Sequence, residues 1–357
     1  MKTIWILLRD LTETGGGERV CINLANAWCS VYKVHIWSFH HGNADTIAPL
    51  DSRVEVTYLS KGFQRAGNPL RKVWNKSLLR LALSLKMRRL IRRRPPEILF
   101  CNDGTFIPPP SMPTRCIRLW HLRCPEKGRR RFRRYHTMVV LTSDQLARWK
   151  SYHHDVRVIP NFLPVFPEER PDDGGRIVLS VGRMERSDEK GFLRLLAAWE
   201  CMQLRNPHPE WRLRIVGGGV YKNRIEEEVR RRSLTSTVVV SDFTPQIENE
   251  YRSAGIYAMC SYREGFSMAL LESASWGVPA VAYDIHSGPS DIIAEGESGY
   301  LVPDGAAEQF AGRLSLLMDD DALRHSMGKA ARERARCLFS QERVLAQWLQ
   351  LFDEAFF

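Results

Sequence analysis

Two glutamates, Glu264 and Glu272, stand eight positions apart in Arg263-Glu-Gly-Phe-Ser-Met-Ala-Leu-Leu-Glu272, and Trp276-Gly-Val-Pro-Ala-Val281 follows. Residues 260–262 read as the end of a strand, Gly265 as a turn, and Ser267 or Gly265 as the cap of a helix running to about residue 275. One carboxylate then sits at the helix mouth and the other just over two turns further along. At 1.5 Å per residue that is a separation of roughly 12 Å along the axis. Between them lie the free N–H groups of the first helical turn, which suit an anion. A ligand with hydroxyls at both ends and a diphosphate between them matches this layout. An N-capped helix with two surface glutamates gives the same spacing, so the segment alone leaves both readings open.

The elements that must carry such a site follow from size and pattern. The 357 residues, 44% hydrophobic and 26% charged, are enough for two domains with proper cores. No apolar run approaches the roughly 18 residues of a membrane span. Met1-Lys2-Thr3-Ile4-Trp5-Ile6-Leu7-Leu8 leads straight into Arg9-Asp10 and reads as a first strand, not a signal peptide. Eight cysteines with no Cys-x-x-Cys and no histidine partner at metal spacing point to reduced thiols in a cytoplasmic protein.

Apolar strands at 4–8, 34–39, 54–59, 98–101, 116–121, 138–141 and 156–159 alternate with helices at 18–29, 70–93 and 143–151. This predicts a first domain, residues 1–162, with a parallel sheet covered on both faces. Residues 163–175, rich in proline, glycine and acid, read as a linker. A second series begins with a strand at 177–181 and continues with strands at 213–216, 238–241, 255–260 and 279–283. Helices are expected at 191–202, 222–233, 308–318 and 321–337. The fold class is therefore α/β, with two doubly wound Rossmann-like domains and a cleft between them. The second domain spans 176–340, and a last helix at 341–357 is available to complete the first.

Three further features belong to the second domain. Ser180-Val-Gly-Arg183 is followed by Lys190-Gly191, placing two cations at a strand–helix junction, where they suit a diphosphate. Ile215-Val-Gly-Gly-Gly219 ends a strand in glycines, where backbone must come close to something. Ser287-Gly288-Pro289-Ser290-Asp291 precedes Gly299-Tyr300-Leu301-Val302-Pro303. Each is also compatible with an ordinary turn or strand end. Together with the Glu264–Glu272 segment, and in this order, they resemble the retaining glycosyltransferases of glycosyltransferase family 4, which have the GT-B fold. The resemblance covers nearly the whole chain and is strongest over residues 177–305.

That resemblance implies roles. Arg183 and Lys190 would bind the donor diphosphate and stabilise the leaving group, Glu272 would hold the ribose, and Glu264 would face the transferred sugar. The amides of Gly265, Phe266, Ser267 and Met268 would touch sugar and phosphate, with Gly217 close by. The loop Phe243-Thr244-Pro245-Gln246 would place Thr244 and Gln246 at the nucleobase. In the first domain, Gly16 and Gly17 of the glycine loop would face the diphosphate and acceptor, and His121 would stand near the sugar. The donor implied is a nucleotide sugar, UDP-linked and carrying a hexose or N-acetylhexosamine. No cofactor or metal is expected. Asp319-Asp320-Asp321 contains an Asp-x-Asp but reads as a solvated turn and helix cap.

Charge separates the halves. Residues 1–162 hold 29 Lys/Arg against 11 Asp/Glu, whereas residues 163–357 hold 23 against 30. The long helix carries Arg71, Lys72, Lys76, Arg80, Lys86, Arg88, Arg89, Arg92, Arg93 and Arg94. Arg129, Arg130, Arg131, Arg133 and Arg134 surround Phe132 in an expected loop. An anionic partner follows. The expectation is an anionic membrane surface on the inner face of the cytoplasmic membrane, with a lipid-linked or phosphorylated oligosaccharide as acceptor. A solvated basic face is the plain alternative. A nucleic-acid-binding protein leaves the second-domain features without purpose, so no nucleic acid is expected. A GT-B sugar-nucleotide epimerase is the enzymatic alternative.

Overall fold

The computed structural model describes all residues except 14, 43–48, 61–78, 105, 111, 113, 123, 126–128, 169–174 and 355–357. The expected first part of the long helix, with Arg71, Lys72 and Lys76, and residues 169–174 of the acidic linker lie outside the described residues. The chain forms two compact units. Met1–Asn161 and Val344–Phe357 make the first, and Phe162–Arg343 makes the second.

The first unit contains strands β1 (Thr3–Asp10), β2 (Lys33–His40), β3 (Glu55–Tyr58), β4 (Ile98–Cys101), β5 (Arg115–Trp120), β6 (Thr137–Val140) and β7 (Val156–Val158). They pair in the order β3-β2-β1-β4-β5-β6-β7, every pair parallel. Helices α1 (Gly16–Trp28), α2 (Arg80–Arg93) and α3 (Asp144–Lys150) follow β1, β3 and β6. The inner strands read as continuous apolar runs because parallel sheets are buried on both faces; Ile98, Leu99, Phe100 and Cys101 are all fully buried.

The second unit contains β8 (Ile177–Val181), α4 (Phe192–Arg205), β9 (Arg212–Val216), α5 (Lys222–Arg231), β10 (Val238–Ser241), α6 (Ile247–Ser253), β11 (Ile256–Met259), α7 (Met268–Ser275), β12 (Ala280–Asp284), α8 (Pro289–Ile292), β13 (Gly299–Pro303), α9 (Ala307–Asp319) and α10 (Asp321–Phe339). Its sheet is also parallel, in the order β10-β9-β8-β11-β12-β13. The strand β13 was not expected. A glycine opens it and a proline closes it, which reads locally as a loop, yet every residue from Gly299 to Pro303 pairs with β12. Asp320 caps α10 through a 2.8 Å bond from the Leu323 amide, so the Asp-x-Asp is a turn and a cap.

The last helix, α11 (Gln341–Glu354), packs into the first unit although it is last in the chain. Trp348 and Phe352 meet Trp28 edge-on with ring centroids 5.4 and 5.0 Å apart, and Phe100 joins the group 5.1 Å from Trp28. These rings bury a large apolar area between the last helix, α1 and β4. We expect Trp348→Ala to cost about 3–5 kcal/mol in urea unfolding, the usual range for removing a core aromatic ring. Hydrogen exchange should speed up in β1, β4 and α1, while the second unit keeps its protection.

Candidate functional site

In an open parallel sheet, ligands bind beyond the carboxyl ends of the strands, where the strand order reverses. In the second unit this place lies between β8 and β11. The sequence puts Lys190 after β8 and Glu264 after β11. There, 74 positions apart in the chain, they form an ion pair with Lys190 Nζ 2.7 Å from Glu264 Oε1. The Ser261 hydroxyl donates to the same oxygen at 2.6 Å. The Glu264 side chain is 10% exposed and that of Lys190 29%. Oε1 thus takes both bonds, while Oε2 makes none among the described residues.

Two glycines allow the strand exits to close on one another. Gly191, at φ +67°, packs so tightly that a Cβ would lie 1.8 Å from the Cys260 carbonyl oxygen. A Cβ on Gly217, after β9, would lie 1.9 Å from the Gly182 carbonyl oxygen. The Lys190 stem in turn lies over Gly182. Asp188 accepts from the Phe192 and Leu193 amides at 2.9 and 3.1 Å, tying off the start of α4. Its carboxyl sits above the ordinary range because burial outweighs those two bonds.

Helix α7 begins at Met268, with Ser267 as its N-cap; the Ser267 side chain accepts from the Leu270 amide at 3.4 Å. Glu264 therefore precedes the helix, and Glu272 lies about one turn inside it. This corrects the expectation that two helical turns separate them. The residues from Glu264 to Ser267 form a capping turn, because a serine cap requires extended backbone at its own position. Different elements hold the two carboxylates: Glu272 Oε2 accepts from the Tyr251 hydroxyl of α6 at 2.9 Å. The left-handed turn Ser287–Gly288 lies against Glu264, Phe266 and Ser267. Phe266 and Ser267 are buried, whereas Gly265 and Met268 are partly open at the mouth.

Not every expected residue joins this cluster. Arg183 is exposed and makes no hydrogen bond or ion pair among the described residues. Thr244 and Gln246 follow β10, where the Gln246 amide donates to the Thr244 hydroxyl at 3.1 Å. They form a turn beside Phe243, which packs near Gly218.

In the first unit the strand order reverses between β1 and β4, and a second group gathers there. His121 Nε2 lies 2.6 Å from Asn102 Oδ1, and Asn102 Nδ2 donates to the Gly17 carbonyl at 3.3 Å. That carbonyl fixes the amide's orientation, so its oxygen faces the histidine and Nε2 must carry the proton. Nδ1 is left as an acceptor. Burial and the Arg118 guanidinium push His121 down to about 3. Gly16 opens α1, with Gly15 as an N-cap that has no side chain to offer. Asn102 escaped the sequence reading, although it stands directly after β4, as His121 does after β5. Ser261 and Tyr251 escaped it too, since a lone hydroxyl carries no local signal.

The His121 geometry has a spectroscopic consequence. In ¹H–¹⁵N spectra His121 should stay neutral and Nε2-protonated from about pH 5 to 8, the range in which ordinary histidines titrate. Since its folded pKa lies below the unfolded value, its contribution to stability is complete above that unfolded value and declines as pH falls below it. A titration midpoint above 6 would refute the tautomer and the buried state together.

Residues 164–334 match the family model described as glycosyl transferases group 1. The chain is 27% identical over 379 residues to a glycosyltransferase of amylovoran biosynthesis from Erwinia amylovora, covering 99% of this chain and all of that protein. It is 23% identical over 362 residues to an α-1,4-N-acetyl-D-galactosaminyltransferase from Campylobacter jejuni whose name specifies an undecaprenol-linked substrate; 96% of each is covered. Among solved structures, TarM superimposes with a TM-score of 0.81 at 16% identity over 99% of both chains. A Staphylococcus aureus TarM variant in complex with UDP gives 0.79 at 14% identity, over 99% of this chain and all of that one. The chain is a glycosyltransferase whose residues 164–334 are similar to the glycosyl transferase group 1 domain, with two parallel-sheet Rossmann-like units of the GT-B type.

Proposed function

We propose that this enzyme moves a hexose or N-acetylhexosamine from a UDP-sugar to a lipid-linked or phosphorylated oligosaccharide, with retention of the anomeric configuration, as a member of glycosyltransferase family 4. The observation that carries the donor site is the Lys190–Glu264 pair at the strand-order reversal, set beside the capped mouth of α7. A diphosphate draws the Lys190 ammonium and the free amides at that mouth, and Arg183, exposed and unpaired among the described residues, closes on it as a bidentate fork. Fixed cations directed at the departing diphosphate supply the largest share of the rate without a metal. Glu264 keeps one oxygen on Lys190 and Ser261 and offers the other to a sugar hydroxyl.

Glu264 and Glu272 do not form a pair serving one anomeric carbon. A retaining glycosidase needs two carboxylates roughly 5 Å apart, flanking the bond. Here each is anchored to a different element, which supports two grips on one long ligand, Glu264 on the sugar and Glu272 on the ribose. Same-face substitution follows: the acceptor hydroxyl attacks the anomeric carbon from the side that the diphosphate leaves, and a departing phosphate oxygen takes its proton. His121, neutral and donating through Nε2 to Asn102, offers Nδ1 as a hydrogen-bond acceptor within the first unit. The undecaprenol-linked substrate in the Campylobacter relative's name supports the acceptor class, and the UDP complex of the TarM variant supports the nucleotide.

The membrane part of the reading rests on the first unit's surface. Leu83, Met87 and Ile91 of α2 are buried, while Leu81, Leu85, Arg89, Arg92 and Arg93 face outward. The segment Arg129–Arg134, expected as a loop, is a 3-10 turn that buries Phe132 and exposes Arg130, Arg131, Arg133 and Arg134. Residues 106 and 107 join the two clusters: Arg88 donates to the Ile107 carbonyl at 3.4 Å, and the Tyr135 hydroxyl to that of Phe106 at 2.6 Å. Exposed leucines among arginines, with no acid in residues 79–94 or 129–136, suit an anionic lipid surface at the inner face of the cytoplasmic membrane. No described helix is long and apolar enough to cross a membrane.

Thermal stabilisation by a panel of UDP- and GDP-sugars tests the donor. A true donor at about 100 times its dissociation constant adds roughly 2.7 kcal/mol. Glu272→Ala should weaken the binding of bare UDP, while Glu264→Ala should spare it; the opposite pattern would overturn the assignment. Sedimentation with vesicles tests the surface. Binding should require anionic lipid, and replacing Arg89, Arg92, Arg131 and Arg134 with serine should remove about 1 kcal/mol each. Equal binding to neutral vesicles would sink the membrane reading.

A further inference from the structure

Arg194, in the first turn of α4, makes more contacts at the strand exits than its place in the sequence announces. Its side chain is only 13% exposed. Nε donates to the Cys260 carbonyl and one terminal nitrogen to the Ser261 carbonyl. The other terminal nitrogen reaches Asp304 Oδ1, just after β13, at 2.6 Å. The guanidinium lies 3.9 Å from the Tyr262 ring centroid and 4.4 Å from that of Tyr283 on β12. One planar cation therefore touches the exits of β11, β12 and β13 from the helix that follows β8.

Two consecutive carbonyls on one rigid fork fix both the position and the rotation of the peptide between Cys260 and Ser261. Among the described residues, the backbone hydrogen bond between this exit and the segment leading into α4 is a single one, from the Tyr262 amide to the Glu189 carbonyl at 2.8 Å. A single bond leaves the segment free to pivot. Directly beyond the fork, the Ser261 hydroxyl holds Glu264 Oε1. We propose that Arg194 is a positioning residue of the donor site, holding the β11 exit so that Ser261 places Glu264 against Lys190. This rests on the reading of that site given above.

The test uses the full chain and two independent readouts. The first is the acylation rate of Lys190 by an amine-reactive ester, mapped by mass spectrometry, with Lys222 as internal reference; Lys222 is paired with Asp242 away from this segment. The second is UDP affinity by calorimetry. Arg194→Met keeps the stem but loses the fork, and Arg194→Lys keeps the charge but cannot bridge both carbonyls. In both, labelling of Lys190 should rise about threefold or more, within the range of coupling between contacting residues. Lys222 should stay unchanged, and adding Glu264→Gln should raise Lys190 labelling no further. Unchanged Lys190 labelling, a parallel rise at Lys222, or full restoration by Arg194→Lys would overturn the proposal. Wild-type protein that fails to bind UDP while Lys190 labelling responds as expected would refute the donor assignment and leave the positioning role standing.

Discussion

The closure of the β11 exit onto the start of α4 is the constraint on which the donor site depends. Lys190 and Glu264 meet there because two backbone segments approach so closely that only glycine fits at 191. The ion pair is half-buried, so each charge relies on the other to offset desolvation. Ser261 and Arg194 then take up the polar groups that the approach would otherwise leave unpaired. The chemistry of the site is a consequence of this packing, since neither charge is held in place by its own element alone.

The same geometry recurs in both units. A parallel sheet whose order reverses leaves two neighbouring strand exits diverging to opposite faces, and the gap between them collects polar side chains. In the second unit this gap holds Lys190 and Glu264; in the first it holds Gly17, Asn102 and His121. The outcomes differ in charge. The second unit pairs a cation with an anion, whereas the first keeps a neutral imidazole whose proton is committed to Asn102. A neutral acceptor and a fixed charge pair are different tools, and the fold supplies a place for each.

Much was legible in order along the chain. The alternation of apolar strands and helices specified two parallel-sheet units, because a strand buried on both faces must be apolar throughout. Ser267 could be named as a cap, since capping is a local bond between a side chain and an amide three residues away. The glycines at 217–219 marked close backbone approach, although not what approached them. The strand at 299–303 and the turn at 129–134 were hidden, one by its terminal glycine and proline, the other by a run of arginines that resembles a loop.

The amino-acid sequence by itself determined the element types, the capped mouth of α7 and the uneven charge of the two halves, because propensity, capping and composition act within a few residues. Tertiary structure alone decided that Lys190 reaches Glu264, that Asn102 sets the tautomer of His121, and that Trp348 returns to Trp28. The first two contacts join residues brought together by strand order, which is a property of the whole sheet, and the third joins two helices far apart in the chain. Arg194 shows the limit most plainly. Two of its partners are backbone carbonyls, which every residue possesses, so no pattern of side chains could have pointed to them.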